Sequence, residues 1–403
     1  MKEMKLDDLN LQIGFGREDY YCEQSFAQDS TLLSRQWQYV DHISNFDKVG
    51  DYRVFRILGE SVVLVKTVEG FSAFINMCRH RGSLICLEHK GNTDKFVCPY
   101  HGWQYELDGK LIKALAAPIA TANPEQFSLH LVGLKVYEGM IFIALDKDAA
   151  PDFELAMSGI AALVEWHELG ETKVASIKNY EFKANWKLVV ENFLECFHCH
   201  SNHPQLREVY SHPKLTGTTD SESNMSFMME SAKWEKLARE LGHPTGGCVG
   251  IDVSAEQFAV AFRMPIGSGK KSLSQDGQGM APLIGQFKEY DGGETFGYFG
   301  PLLHFSLLND HALFIRIVPE SATRTNVQLV WLTAKEAQEG VDYDKKKLTW
   351  LWDATVKQDR TAVQRSQQGF SSQYAQKGIY SDLELESHKF ALWYRNAFSN
   401  GVT

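Results

Sequence analysis

The 403-residue chain has no run of about 18 consecutive apolar residues, the length a helix needs to cross a bilayer, which excludes a helical membrane protein. Its opening, MKEMKLDDLN, is charged and lacks the apolar stretch of a secretory signal, so a cytoplasmic protein is expected. No Lys/Arg-rich block occurs and the net charge is −10, so the electrostatic footprint of a nucleic-acid binder is missing. Internal repeats, low-complexity tracts and proline-rich linkers are also absent, which excludes solenoids and long disordered spacers. There is no GxGxxG turn between a strand and a helix and no plant-type ferredoxin spacing of cysteines, so the chain offers no nucleotide fold of its own. Cysteines number only seven. In a reducing compartment, grouped Cys and His point to metal or catalysis before disulfides.

What is present starts with length, which exceeds one ordinary domain and predicts two. The stretches DYRVFRIL, SVVLVKTV, FSAFINM, KFVCPY and GMIFIALD are rich in β-branched and aromatic residues and are separated by Gly, Asp and Asn turns. They predict a small all-β domain over residues 38–150. Residues 1–37 are expected to pack on a larger catalytic domain formed by residues 151–403. Within the small domain, CRHRGSLIC (78–86) and CPYHGW (98–103) place Cys78, His80, Cys98 and His101 in two glycine-containing loops. Structural zinc sites usually begin with a CxxC or CxxxxC knuckle, so a CxH loop argues against zinc.

A CxH loop paired with a CxxH loop resembles the Rieske iron–sulfur family. The resemblance implies a [2Fe–2S] cluster held by Cys78 and Cys98 on one iron and His80 and His101 on the other. Respiratory-chain Rieske proteins carry an additional Cys in each loop, forming a disulfide; here those positions are Ser83 and Tyr100. Cys86 is out of register and reads as a buried structural thiol. The pair CRHRG and CPYHGW resembles instead the oxygenase branch, whose members carry a second iron downstream.

Downstream lies NWKLVVENFLECFHCHSNHPQL, where Trp186, Leu188, Val189, Val190, Phe193 and Phe197 have helical spacing. Glu191, Glu195 and His198 recur at intervals of four and three, which predicts one stripe of a mostly buried helix. His203 would leave that stripe in a regular helix, and Ser201, Asn202 and Pro204 predict that the helix distorts or ends there. Two His and one carboxylate make a mononuclear Fe(II) site with open positions for O2. The segment WDATVKQDRTAVQRSQQGFSS offers Asp353 and Asp359. Its QDxxxxxxxQxG frame resembles the family segment carrying the third ligand, which selects Asp359 with His198 and His203. Cys199 and His200 read as packing or pocket-wall residues.

Family members mostly carry Asp just before the first iron His, as a link between that ligand and a cluster His of a neighbouring subunit. This chain has Glu195, and its ECFHC segment resembles the subgroup acting on quaternary ammonium compounds, as does FRMPIGSGKKSLSQDGQGMAPLIG (262–285). The resemblance implies a homotrimer in which Glu195 is the electron-transfer bridge. Strand-like alternation in QFAVAFRMP, LLHFSLLN, HALFIRIVP and NVQLVWLTA predicts an antiparallel sheet covered by helices, hence an α+β fold. The expected activity is that of a terminal oxygenase which takes electrons from a separate reductase carrying NAD(P)H and flavin. It hydroxylates an N-methyl group and releases formaldehyde. An aromatic-ring dioxygenase α subunit would use the same metals. A Rieske electron carrier would be far shorter and hold two irons per chain where an oxygenase holds three.

Overall fold

In strand β3 (Glu60–Thr67) four consecutive residues, Val62 to Val65, are all buried. Successive side chains of a strand point to opposite faces, so a continuous apolar run means that both faces are covered. Val63 and Val65 join Phe74, Cys78, Cys98, Trp103 and Tyr105 in one core, while Val62 and Leu64 join Val40, Ile141 and Ile143 in another. Burying each such side chain contributes about 1.5–3 kcal/mol. This computed structural model describes residues 13–213 and 220–399 and divides the chain into two compact units.

The smaller unit, Leu33–Pro151, contains that strand. It holds β1 (Gln38–His42), β2 (Asp51–Ile57), β3, β4 (Gly70–Ile75), β5 (Lys90–Asn92), β6 (Phe96–Val97), β7 (Gln104–Tyr105), β8 (Leu111–Lys113), β9 (Gly133–Tyr137) and β10 (Met140–Ala144). They form three antiparallel sheets, β1-β10-β9, β4-β3-β2-β5 and β6-β7-β8. One His–Cys loop follows β4 and the other follows β6.

The larger unit runs from Asp152 onward and includes residues up to Leu32. Positions 1–12 of the expected N-terminal segment lie outside the described residues. From Ile13 the chain is tied down: Arg395 donates to the Ile13 and Gly14 carbonyls at 2.7 and 2.9 Å. Helices α1 (Arg17–Tyr21) and α2 (Glu23–Arg35) follow. The centre is a seven-stranded antiparallel sheet of order β11-β17-β16-β15-β14-β13-β12. Its strands are β11 (Thr172–Phe182), β12 (Gly246–Cys248), β13 (Ala259–Pro265), β14 (Gly293–Phe299), β15 (Leu303–Leu307), β16 (Ala312–Ser321) and β17 (Arg324–Ala334). The fold is α+β, as expected. Strands β11, β12 and β14 are additions to the sequence reading. Strand β14 escapes notice because two glycines interrupt its pattern, yet a Cβ at Gly297 would meet the Val260 carbonyl at 2.1 Å and the Phe305 ring at 2.6 Å. Only glycine fits there.

The helices of this unit include α3 (Trp186–Leu194), α4 (Cys199–Asn202), α5 (Pro204–Val209), α6 (Ser221–Glu240), α7 (Lys345–Phe370) and α8 (Leu385–Ser399). Among the described residues no helix is long and apolar enough to cross a membrane.

Candidate metal centres

The two loops of the smaller unit share one backbone frame. Cys78 N–H donates to Ser83 O at 2.8 Å and Gly82 N–H to Cys78 O at 3.0 Å; Cys98 N–H donates to Trp103 O at 2.8 Å and Gly102 N–H to Cys98 O at 3.0 Å. Each turn closes on a glycine four residues after its Cys, with φ of +73° at Gly82 and +68° at Gly102, a left-handed conformation that favours glycine. The frame points both thiols inward, and Cys78 and Cys98 are buried against each other. The imidazoles point outward, with His80 exposed and His101 half-buried, their Nδ1 atoms 3.1 Å apart.

The neighbours hold these groups. Trp103 stacks on His80 with planes 10° apart. Tyr105, fully buried, places its hydroxyl 3.3 Å from Cys78 Sγ and accepts Arg79 N–H at 3.1 Å. Burial pushes the Cys78 thiol up. Tyr105 and Trp103 were not identified from the sequence, although both lie within seven residues of Cys98. Cys86 is held apart by Asn76, whose side chain accepts its N–H and donates to its carbonyl, each at 2.8 Å.

The second centre is built on α3, α4, α5 and α7. The NWK start of α3 is anchored throughout. Asn185 caps the helix by accepting Lys187 N–H, while its own N–H donates to Gln367 of α7 at 2.8 Å. Trp186 Nε1 and Lys187 Nζ both donate to the buried Asp29 carboxylate. The helix then stops at Leu194, four residues before His198, which corrects the expectation of a continuous helical stripe. Glu195 is extended (φ −132°, ψ 163°), and its Oε2 accepts the N–H groups of Phe197 and His198. An acid bonded to the backbone two and three residues ahead competes with helix continuation and starts a new turn. Glu191 belongs elsewhere: it accepts hydroxyl protons from Tyr20 and Tyr380, and burial pushes its carboxyl up to about 7.

This break brings the expected residues together. Asp359 Oδ1, on α7, lies 3.2 Å from His198 Nε2 and 2.9 Å from His203 Nε2. The Glu195 carboxylate contacts His198 on its other ring nitrogen, Nδ1. Gln358 Oε1 accepts from His203 Nδ1 at 2.8 Å, leaving Nε2 to face Asp359. His203 and Asp359 are buried, and His203 Nε2 has no well-directed hydrogen-bond partner. Two imidazole nitrogens converging on one buried carboxylate oxygen, one of them an orphan, fit a divalent metal with open positions. Burial disfavours charge on His198, but the hydrogen bonds and charges of Asp359 and Glu195 outweigh it and raise this imidazole to about 10 when no metal is bound. Asp359 is held below the usual carboxylate range, its burial outweighed by the two His.

Cys199 also approaches. Its thiol, His198 and His203 offer donor atoms within 4.8 Å of one another, with Sγ 3.9 Å from His198 Nε2. Oxygen-activating Fe(II) prefers two imidazoles and a carboxylate, and Asp359 is the group that both imidazoles contact. Asp353, the other acid weighed, instead accepts from Tyr180 and pairs with Lys178 and Lys357.

One face of the sheet presents Phe262, Phe296, Tyr298 and His304, with His304 against Phe193 of α3, the helix that precedes Glu195. Phe193, Phe262 and Phe296 are only half-buried, unlike core aromatics. The 262–285 segment continues from β13. There Ser211 N–H donates to Ile266 O at 2.9 Å, just past α5, and Asp310 holds the loop through Ser272 and the Met280 N–H.

Residues 36–124 match the family model of the Rieske [2Fe-2S] domain, and residues 169–400 match that of the ring hydroxylating alpha subunit (catalytic domain). The chain is 32% identical over 394 residues to the glycine betaine monooxygenase oxygenase subunit of Pseudomonas aeruginosa (strain UCBPP-PA14), covering 96% of this chain and 89% of that protein. Similarity to the carnitine monooxygenase oxygenase subunit of Escherichia coli (strain K12) is 32% over 190 residues, 46% of this chain and 51% of that protein. The fold is similar to that of the quaternary ammonium Rieske monooxygenase CntA solved with an inhibitor, with a TM-score of 0.69, 19% identity and 96% of both chains covered.

Proposed function

Because this chain belongs to the ring-hydroxylating alpha subunits, the oxygenase components of Rieske non-haem iron enzymes, we propose that it oxidises an N-methyl group of a betaine-type quaternary ammonium compound. The observation that carries this reading is the convergence of His198, His203 and Asp359 with Glu195 seated on the far nitrogen of His198. Cys78, Cys98, His80 and His101 would hold the [2Fe–2S] cluster, and His198, His203 and Asp359 the mononuclear iron. When bound, the cluster supplies single electrons and the iron supplies the activation of O2 for attack on a C–H bond.

The chain's own residues prepare that chemistry. Glu195 accepts the Nδ1 proton of His198 and Gln358 that of His203, so both rings present Nε2 to the same point. Half-buried aromatic rings at Phe193, Phe262 and Phe296 offer π faces to a methylated cation. Overall, the methyl group, O2, two electrons and two protons give an N-hydroxymethyl compound and water. That compound then breaks its C–N bond, releasing formaldehyde, a proton and the demethylated amine.

As an oxygenase component the protein works with a reductase. We further assign it a homotrimeric state in which the cluster of one subunit serves the iron of the next. The exposed His80 at the loop tip and the exposed apolar side chains of Leu84, Tyr100, Leu115 and Ile119 support that reading. The test is formaldehyde release from glycine betaine, choline, carnitine and N-methylated prolines with a surrogate reductase, using the Asp359→Ala protein as control. Turnover of aromatic acids with none of any methylammonium compound would overturn the substrate class and favour the aromatic-ring alternative.

A further inference from the structure

The break that starts the turn at His198 also creates a thiol pair. Cys196 and Cys199 flank the histidine in the tetrapeptide Cys196-Phe197-His198-Cys199. Cys199 N–H donates to the Cys196 carbonyl at 3.2 Å. A bend closed in this way holds the Cα atoms of its first and fourth residues within about 7 Å, and disulfides span Cα separations of about 4.4–6.8 Å. The two side chains are near enough to interact. Cys196 is only half-buried, whereas Cys199 is buried with Sγ 3.9 Å from His198 Nε2. Cys196 is therefore the more accessible of the two, and Cys199 is the one beside the His198 ring. Neither has a part in the chemistry proposed above.

We propose that Cys196 and Cys199 form a reversible disulfide when hydrogen peroxide reaches them, and that the oxidised pair loosens the iron site. Peroxide arises from the same reactants as turnover: O2, two electrons from the reductase and two protons, whenever no C–H bond is oxidised. The Cys196 sulfur attacks the peroxide O–O bond, becoming a sulfenic acid and releasing water. The Cys199 sulfur then displaces the sulfenic oxygen as a second water, forming the S–S bond. One peroxide is reduced and two thiols are oxidised. Drawing the two sulfurs to a bond length of about 2.05 Å must move the turn. His198 lies between the two cysteines, and a metal ligand misplaced by more than about 0.5 Å loses its productive geometry. The functional consequence rests on His198 being an iron ligand, as proposed above.

The test treats the iron-loaded full-length protein with a small excess of hydrogen peroxide. It then maps non-reduced peptides and counts metal. A Cys196–Cys199 linked peptide is expected, with iron falling from three to two per chain, visible cluster absorbance unchanged, and the third iron restored by dithiothreitol plus Fe(II). Cys196→Ser and Cys199→Ser proteins, each compared with its own untreated sample, are expected to keep their iron. Absence of the linked peptide, or equal iron loss in wild type and Cys196→Ser, overturns the proposal, because oxidation at the metal itself then accounts for the loss. An untreated wild type that binds only two irons would defeat the functional reading instead, so the two failures are distinguishable.

Discussion

Replacing Glu195 by Ala removes three contacts at once: the acceptor for the Phe197 and His198 N–H groups and the carboxylate on His198 Nδ1. Loss of a capping acceptor costs about 1 kcal/mol. Loss of a partner that orients a metal-bound imidazole lowers metal affinity about 10–100-fold, or roughly 1.4–2.8 kcal/mol. The side chain is only 12% exposed, so water replaces these contacts incompletely. The Ala protein is expected to stay folded, to bind Fe(II) 10–100 times more weakly in an equilibrium titration, and, on the bridging role proposed for Glu195, to remain nearly inactive once iron is saturating. Glu195→Gln keeps an acceptor for the backbone but not the charge facing His198, so it should recover stability without recovering turnover. Glu195→Asp, one methylene shorter, can reach the backbone or the ring but not both, and should fall between them. Wild-type iron affinity together with wild-type turnover in Glu195→Ala would refute the role given to this residue.

Gly82→Ala tests the loop frame: no atom lies within 4 Å of a Cβ there, so the penalty is conformational, about 1–2 kcal/mol, read as an earlier thermal loss of cluster absorbance, and an unchanged midpoint refutes it. Iron affinity should rise about tenfold per pH unit between pH 7 and 9, because Fe(II) must displace the proton that Asp359 and Glu195 hold on His198, and a flat titration would show no such competition. Glu191 is raised to about 7 in the folded protein from 4.5 unfolded, so the folded state binds the extra proton between those values. Its contribution is complete below about pH 4.5 and disappears as pH rises through 7, a loss of at most ~3 kcal/mol. Comparing urea midpoints of wild type and Glu191→Gln at pH 5 and 7 reads it, and an equal change in both refutes it.

The cluster loops are legible in the sequence because everything they need is local: a Cys, a His two or three residues on, and a glycine at the fourth position. The convergence of His198, His203 and Asp359 is legible only through a pattern, since 156 residues separate His203 from Asp359. The reasons for that pattern are not visible in one dimension. Gln358, next to Asp359, orients His203, and Gln367 of the same frame accepts the N–H that starts α3. Helical periodicity misleads at Leu194, because an acid at 195 bonds forward to the backbone and periodicity does not register hydrogen bonds. That Phe193, Phe262 and Phe296 stay half-buried is invisible for a related reason: apolar spacing alone does not distinguish a partly exposed ring from one filling a core.

Gln358 is itself held from a second side. Its amide nitrogen donates to Gln205 at 2.9 Å, which fixes which end of the amide faces His203. The tautomer of His203, at the junction of α4 and α5, is thus set by Gln358 of α7, and Gln205 of α5 holds that amide in place. Replacing Gln205 by Leu would free the amide to rotate, letting its nitrogen point at the ring and the imidazole proton migrate to the atom that should meet metal. Such a protein would keep all its donor atoms yet load slowly, its resting population split between receptive and blocked forms.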